Sequence, residues 1–111
     1  EYNNEVSMKV KKAVDQTAKE VNKEIKDNVT FQNRTGDYLK SFELITTRDD
    51  GYGKTKKWHV KSPHYRLTHL LEYGHITRNG ERTKAFPHIK YGEKYAELNL
   101  PKKIEEALRN D

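Results

Sequence analysis

The chain has 111 residues, no cysteine, and a formal net charge of +5 from 22 basic and 17 acidic side chains. This length suits a single domain over residues 1–111, and the lack of cysteine excludes disulfide bonds and thiolate metal sites. Only 32% of the residues are hydrophobic, so we expect a thin core of marginal stability. No apolar run approaches the roughly 20 residues of a membrane span, and the mixed charges are not those of a dedicated nucleic-acid stripe.

The first predicted element is a long helix from about Glu5 to Asn28. Its apolar residues recur at intervals of four or seven, which places them on one side of a helix. These residues are Val6, Val10, Val14, Val21, Ile25 and Val29. Because the stripe is narrow and nearly straight, we expect the helix to lie on a flat surface, most simply a sheet.

Two β-strands are predicted after a break in the helical pattern at Gly36. The run from Ser41 to Thr47 is rich in β-forming residues that alternate in polarity, and a later run places Trp58 and Val60 on one face. The residues between them, Asp49 to Lys54, form a cluster typical of turns. The two strands therefore predict a β-hairpin with a protruding polar tip.

The second half of the chain predicts a short helix and a polar loop. The apolar spacing from Tyr65 to Tyr73 suits a helix, and Gly74 is placed to end it in a left-handed conformation. In the loop from Thr77 to Lys84, Asn79-Gly80 supplies the positive φ angles of a tight turn.

A closing helical region completes the chain. Pro87 is placed to occupy its first position, and Pro101, which lacks an N–H, must kink or divide it. The order of elements predicts an α+β fold. In it, the long N-terminal helix and the C-terminal helix pack on a small, mainly antiparallel sheet with a β-hairpin.

Four of the five histidines lie in one region, at His64, His69, His75 and His88. Without cysteine, a zinc site would need histidines and carboxylates brought together. His64 and His69 are five residues apart and His69 and His75 are six apart, so neither pair shares a helical face. The pattern favours half-exposed contact residues, and a small metal-dependent nuclease is the weaker alternative.

Glu72 is the one candidate for acid–base chemistry. Beside Leu70 and Leu71 on a short helix, it is placed either as a buried general acid or base or as a partner of a backbone N–H or an arginine. The sequence offers it no obvious Ser, Cys or Lys nucleophile. The structural interpretation is therefore favoured, and no cofactor is expected.

The hairpin also combines basic and aromatic residues, as single-stranded nucleic-acid sites do. The basic residues are Lys54, Lys56, Lys57 and Lys61, and the aromatic ones are Tyr52 and Trp58. A solvated β-ribbon with one inward aromatic explains the same pattern and is favoured. A small basic nucleic-acid-binding domain remains an alternative function.

Three short motifs give the chain a family resemblance. They are Thr35-Gly36, Glu72-Tyr73-Gly74 and Ala85-Phe86-Pro87. In their order and spacing, over almost the whole chain, they resemble the tail-completion or head–tail joining family of long-tailed double-stranded DNA phages and prophages. Relatives of the lambda Z minor tail protein belong to that family.

The resemblance implies a structural protein without catalytic residues. It implies a subunit of a ring, a hexamer in the virion, that contacts connector and tail proteins, with possible passage of DNA through the ring and no membrane. It also implies assembly in the bacterial cytoplasm and a place in the virion. The three motifs are then expected to fix the fold, and two loops to contact neighbours. The candidate contact residues are Asp50, Tyr52, Lys54, Arg78, Asn79 and Arg82.

Overall fold

The computed structural model describes residues 4–29, 36–51, 53–61 and 64–109, apart from the side chain of Arg66. The elements in chain order are α1 (Asn4–Asp27), α2 (Asp37–Lys40), β1 (Phe42–Asp50), β2 (Gly53–Val60), α3 (Tyr65–Tyr73) and α4 (Ile89–Arg109). The predicted α+β fold is confirmed, since two long helices accompany a two-stranded antiparallel sheet.

Helix α1 is the element on which the rest of the fold is assembled. It packs against the hairpin, as the apolar stripe predicted, and also against α4 along much of its length. At the closest approach, a Cβ added to Gly92 of α4 would lie 2.5 Å from a side-chain carbon of Ile25. Leu100 lies beside the same groove as Val14, so the two helices run in opposite directions.

Helix α4 differs from its prediction at both prolines. It begins at Ile89, two residues after Pro87, and it continues to Arg109 with Pro101 inside it. Of the two outcomes predicted at Pro101, a kink or a division, the division is therefore wrong. Proline removes one N–H from the helix, and Pro101 is exposed, so water can hydrate the carbonyl that loses its donor.

The predicted hairpin is confirmed, and its apolar residues pair across the two strands. Phe42 pairs with Val60 and Leu44 with Trp58, which places the four side chains on one face. A β-bulge between Thr46 and Arg48 shifts the register toward the tip. Such a bulge increases the local twist of the strand pair.

The core is small and largely aromatic. Its buried members are Ile25, Tyr38, Phe42 and Val60. The Tyr38 and Phe42 rings meet edge to face with centroids 5.0 Å apart, and Trp58 packs on Phe42 in the same way at 4.8 Å. Tyr38 comes from α2, a single helical turn that the sequence did not predict, because Gly36-Asp37 was interpreted as leading directly into a strand.

The molecule is long and thin, measuring 59 × 24 × 24 Å. Its radius of gyration is 17.2 Å, against about 13 Å for a compact domain of this length. The accessible surface is 8167 Å², roughly 1,800 Å² more than a compact monomer of this mass exposes. The fold therefore leaves an unusually large area in contact with solvent.

Candidate functional site

Glu72 binds the beginning of helix α4. Its Oε1 accepts hydrogen bonds from the backbone N–H groups of His88 (2.9 Å) and Ile89 (3.0 Å), and its Oε2 accepts from that of Lys90 (3.2 Å). The first amides of a helix have no partner within the helix, and a carboxylate at that end also interacts favourably with the helix dipole. Because both oxygens are engaged and the side chain is buried, Glu72 serves as a helix cap contributed from another element.

His88 lies inside the protein next to Glu72, with 0% of its surface exposed. Its Nδ1 is 2.8 Å from the Phe86 carbonyl oxygen and 3.2 Å from Glu72 Oε1. Because a carbonyl oxygen only accepts hydrogen bonds, Nδ1 carries a hydrogen. The expectation of a half-exposed contact residue is therefore wrong for His88, since its ring fills core space beside Phe42.

The other side of the His88 ring faces Tyr38. Its Nε2 lies 2.8 Å from the Tyr38 hydroxyl, which in turn lies 3.1 Å from the Thr68 hydroxyl. Burial raises the pKa of Tyr38, while the hydrogen bond to Thr68 acts in the opposite direction. We call the four residues Tyr38, Thr68, Glu72 and His88 the polar junction. It joins α2, α3 and the start of α4 through buried hydrogen bonds, which are costly to leave unmade.

Gly74 forms the corner that brings the chain back to this junction. Its φ of 72° confirms the predicted positive angle, but its ψ of 176° is extended rather than left-handed helical, a combination available almost only to glycine. A Cβ there would lie 2.7 Å from the Thr83 carbonyl oxygen. The Phe86 N–H donates to the Leu71 carbonyl oxygen at 2.6 Å. The structure thus brings the second and third sequence motifs together. Gly36 lies at the start of α2, and Thr35 is outside the described residues.

The remaining histidines of the region are more accessible than His88. His64 still borders the junction, because its ring lies 6.4 Å from that of Tyr38 and its carbonyl oxygen accepts a hydrogen bond from Thr68 at 3.4 Å. His64 is half-buried, and His69 and His75 are exposed. The His69 ring packs on Tyr73 with centroids 5.1 Å apart, and His75 Nδ1 lies 3.1 Å from the Thr83 hydroxyl. Across residues 4–109, leaving aside the gaps in the description, no three or more His, Asp or Glu side chains are grouped to hold a metal ion.

The tip of the hairpin lies against α1, so the expectation that it protrudes is wrong. Lys11 of α1 pairs with Asp49 at 2.6 Å, and Lys54 of the hairpin pairs with Asp15 of α1 at 2.9 Å. The hydrogen bond from Lys54 lowers the pKa of Asp15 and raises that of Lys54, and partial burial opposes both shifts. The Ser7 hydroxyl also donates to the Gly51 carbonyl oxygen at 3.4 Å. Ion pairs and hydrogen bonds thus hold the tip in place.

These contacts reduce what the hairpin offers to nucleic acid. Lys54 and Lys56 both approach Asp15, whose carboxylate compensates part of their charge. The exposed lysines of the hairpin region are then Lys57 and Lys61. The Trp58 indole N–H donates to Asn22 Oδ1 at 2.9 Å, and the ring packs in the core. A stacking site needs an aromatic face open to bases, whereas Trp58 is half-buried against Phe42.

The predicted contact residues occupy different environments. Asp50 is at the exposed tip, where it accepts hydrogen bonds from Arg48 and from the Gly53 N–H. Arg78 and Asn79 are exposed on the second loop, while Arg82 donates to the Tyr73 carbonyl oxygen at 2.8 Å. Lys54 faces α1, as described above, and Tyr52 lies outside the described residues.

The second loop is itself a small hairpin. An isolated bridge joins Ile76 and Arg82, and the Gly80 N–H donates to the Thr77 carbonyl oxygen at 3.0 Å. Gly80 has a φ of 80°, whereas no non-glycine residue of the described chain has a positive φ. The prediction of positive angles at both Asn79 and Gly80 is therefore wrong for Asn79.

The sequence did not predict how many apolar side chains of α3 are exposed. Four of them, Tyr65, Leu67, Leu70 and Tyr73, are between 40% and 60% exposed. Of the apolar residues that predicted this helix, Leu71 is the one that packs against the core. The sequence held one indication of this exposure. Five of the nine residues of α3 are apolar, which is more than one buried side of a helix accommodates.

The comparison with known proteins identifies the family. A model of the phage family described as "Bacteriophage HK97-gp10, putative tail-component" matches residues 1–74. The chain belongs to this HK97-gp10-like family. The match runs from α1 to the glycine at the end of α3, and it confirms the resemblance to phage tail components that the motifs indicated. Searches of curated proteins and of solved structures found no significant match.

A phage tail component is a structural part of the virion, and other tail proteins are the partners that such membership implies. Within the described part of the chain, no helix combines the length and apolarity needed to cross a bilayer. The family and the polar junction both indicate a structural role, because the buried Glu72 and His88 form hydrogen bonds that hold the fold together.

Proposed function

We propose that this chain is a subunit of the head–tail connection, where it completes the tail of a phage or prophage virion as one domain over residues 1–111. It acts within a ring, a hexamer in the virion, and contacts connector and tail proteins on either side. It is assembled in the bacterial cytoplasm, it requires no cofactor, and it catalyses no reaction.

The observation that carries this proposal is the family match over residues 1–74. The shape of the molecule supports it. A chain with roughly 1,800 Å² of surface beyond that of a compact monomer has area to place between neighbours, and obligate subunits gain stability from association. The small core is consistent with a protein whose folded state depends on such contacts.

The polar junction supports the absence of catalysis. A general base needs a free lone pair within reach of a substrate proton, yet Glu72 accepts three backbone hydrogen bonds and is 7% exposed. His88 is enclosed by Tyr38, Phe86 and Glu72. These groups are engaged with one another rather than open to a ligand.

The passage of DNA through the ring belongs to the same proposal. Arg78 and Lys57 are exposed cations that are available to line a channel. Contacts with phosphate in such a channel must be few and salt-sensitive, because DNA has to move past them. The exposed loop residues Arg78 and Asn79 are then directed toward the ring interior or toward adjacent proteins.

The test is to inactivate the gene in the phage or prophage that carries it and to examine the lysate by electron microscopy. We expect filled heads and finished tails that remain separate, together with a loss of infectious particles. Supplying the wild-type chain from a plasmid is expected to restore joined virions. A tagged copy should then be detected by immunogold labelling at the head-proximal end of the tail.

Two results would contradict the proposal. One is infectious, joined particles in the absence of the chain. The other is a label distributed along the tail tube or absent from purified virions. A plasmid that carries the same gene with an early stop codon serves as the matched control, because it separates the effect of the protein from that of its transcript.

A further inference from the structure

Strand β2 borders an open cleft of about 530 Å³. Four consecutive residues, Trp58 to Lys61, line it together with Tyr65 and Thr68 of α3. Successive side chains of a strand point to opposite faces of the sheet, so a cleft lined by four residues in a row follows the edge of the strand. The cleft is therefore bounded by a strand edge and a helix.

The hydrogen-bond pattern of the hairpin shows which backbone groups point into this cleft. The Lys61 N–H donates to the Ser41 carbonyl oxygen at 2.8 Å, so Lys61 directs its backbone toward β1. In an antiparallel pair this direction alternates along the strand, and the N–H and C=O groups of Trp58 and Val60 therefore point away from β1. No part of the described chain hydrogen-bonds these outward groups.

The outward groups identify the class of ligand. An unpaired strand edge is a template for a further strand, and recognition by strand addition uses main-chain hydrogen bonds for affinity and alternate side chains for specificity. The wall from Trp58 to Lys61 spans roughly 10 Å at about 3.3 Å per residue. The ligand that fits it is an extended polypeptide segment, of which about four residues face the strand.

The side chains of β2 indicate the composition of that segment. Lys57, His59 and Lys61 alternate along the chain and lie on the face of the hairpin away from the core, whereas Trp58 and Val60 lie on the face toward it. Side chains directly opposite each other on neighbouring strands interact. An added strand therefore meets basic groups on one face and apolar groups on the other.

The charges of the cleft favour an acidic ligand. Lys57 and Lys61 are exposed, and none of the described residues that line the cleft is acidic. His59 already lies 2.9 Å from a carboxylate oxygen of Glu43, so the two lysines are the charges that a ligand meets. Opposite charges across neighbouring strands stabilise their pairing.

We propose that this cleft binds an extended segment of a neighbouring tail protein, in which acidic side chains alternate with apolar ones, as an added strand on β2. This inference rests on the proposed function and names the chemistry of one partner contact. The main chain of the segment hydrogen-bonds Trp58 and Val60, and its carboxylates pair with Lys57 and Lys61. Its apolar side chains enter the cleft beside Tyr65.

The single tryptophan, Trp58, lines the cleft, so its fluorescence reports binding to the full chain. The probe is a capped seven-residue peptide in which aspartate alternates with valine. We expect saturable binding that weakens as salt is added, because exposed ion pairs are screened. The same peptide with lysine in place of aspartate should bind at least about tenfold more weakly.

Two N-methylated versions of the probe test strand addition itself. An added strand directs every second N–H toward its neighbour. Methylation of one alternate set of amides should therefore weaken binding at least about tenfold, while methylation of the other set should change it less than about twofold. Equal effects of the two sets reject strand addition and with it the inference.

Charge reversal on the protein is the third test. We expect the double variant Lys57→Glu, Lys61→Glu to bind the aspartate probe at least about tenfold more weakly and to bind the lysine version in its place. The matched control Lys12→Glu, Lys102→Glu makes the same change of net charge at exposed positions outside the cleft. It should retain binding to within about threefold. Equal losses in the two double variants would indicate a general charge effect and reject the inference.

The inference is also overturned by a wild-type chain that does not bind the aspartate probe at millimolar concentration. A single-stranded oligonucleotide that displaces the probe with higher affinity would assign the lysines to nucleic acid instead. Self-association of the chain that the probe reverses would place a second copy in the cleft. Either result rejects the inference.

These measurements use purified protein and synthetic peptides, so they are independent of the labelling of virions. Failure to bind the probe, with normal labelling at the head-proximal end of the tail, rejects the cleft contact and leaves the proposed function standing. Strand addition by a chain that is absent from virions rejects the proposed function and leaves the peptide site.

Discussion

Helices α1 and α3 distribute polar and apolar side chains in opposite ways. On α1, Ile25 is buried in the core while Lys23 pairs with Asp27 in solvent. On α3, the acidic Glu72 is buried while Tyr73 is exposed. The first arrangement is that of an ordinary surface helix. The second buries a charged side chain and leaves a large aromatic one in contact with solvent.

The difference shows that the same periodicity can serve two purposes. A repeat of apolar residues reports that a helix has two unlike sides, but it does not report which side faces the protein interior. On α3, the polar junction and the capped amides of α4 determine the inward side. Three substitutions test this comparison through their effect on the free energy of unfolding. Each variant is unfolded in urea, and the transition is monitored by the fluorescence of the single tryptophan, Trp58.

The largest effect is expected from Ile25→Ala. Ile25 is 2% exposed and contacts the position of closest helix approach at Gly92, so its truncation should lower the free energy of unfolding by about 2–5 kcal/mol. The matched change Leu70→Ala removes an apolar side chain of similar size from α3. It should cost less than about 0.5 kcal/mol in the monomer. Equal losses at the two positions would show that α3 is packed like α1.

A smaller loss is expected from Glu72→Gln, which tests the buried polar side of α3. The amide retains one acceptor oxygen but turns an NH₂ group toward a backbone N–H, so the cap becomes incomplete. We expect a loss of about 2 kcal/mol. Glu93→Gln, at an exposed position in the second turn of α4, is the control and should change stability little. A tolerated Glu72→Gln would mean that the three hydrogen bonds contribute little to α4.

The smallest effect is expected from Asp15→Asn, which tests the charged contacts between α1 and the hairpin. Because this pair is partly exposed, the loss should stay below about 1 kcal/mol. Lys54 lowers the pKa of Asp15 in the folded state. The contribution is therefore complete above the unfolded value of about 3.9, and it disappears as pH falls through the folded value. A difference between wild type and variant that persists at still lower pH would contradict this explanation.

Much of the fold could be predicted from the sequence, because local rules determine it. The spacing of valines gave α1 to within a residue at each end, and alternation with a turn cluster gave the hairpin. Gly74 marked the end of α3. Each of these features depends on residues close together in the chain, where periodicity and turn chemistry are informative.

The candidate site was less accessible to such reasoning. Glu72 was expected to pair with a backbone N–H or an arginine, and it pairs with N–H groups 16 to 18 residues away. Tyr38 and His88 are 50 residues apart in the chain, so no periodic pattern of residues predicts their contact. His88 is buried because of that contact, and its position directly after Pro87 in the sequence does not predict burial.

Glu72 has one further consequence for how relatives of this chain can vary. The carboxylate holds the first amides of α4, and hydrogen bonds between His75 and Thr83 hold the chain just after the corner at Gly74. The intervening turn from Ile76 to Arg82 therefore does not determine where the last helix lies. We expect evolutionary insertions and deletions to accumulate in that turn, because the chain can lengthen or shorten there while its ends stay anchored.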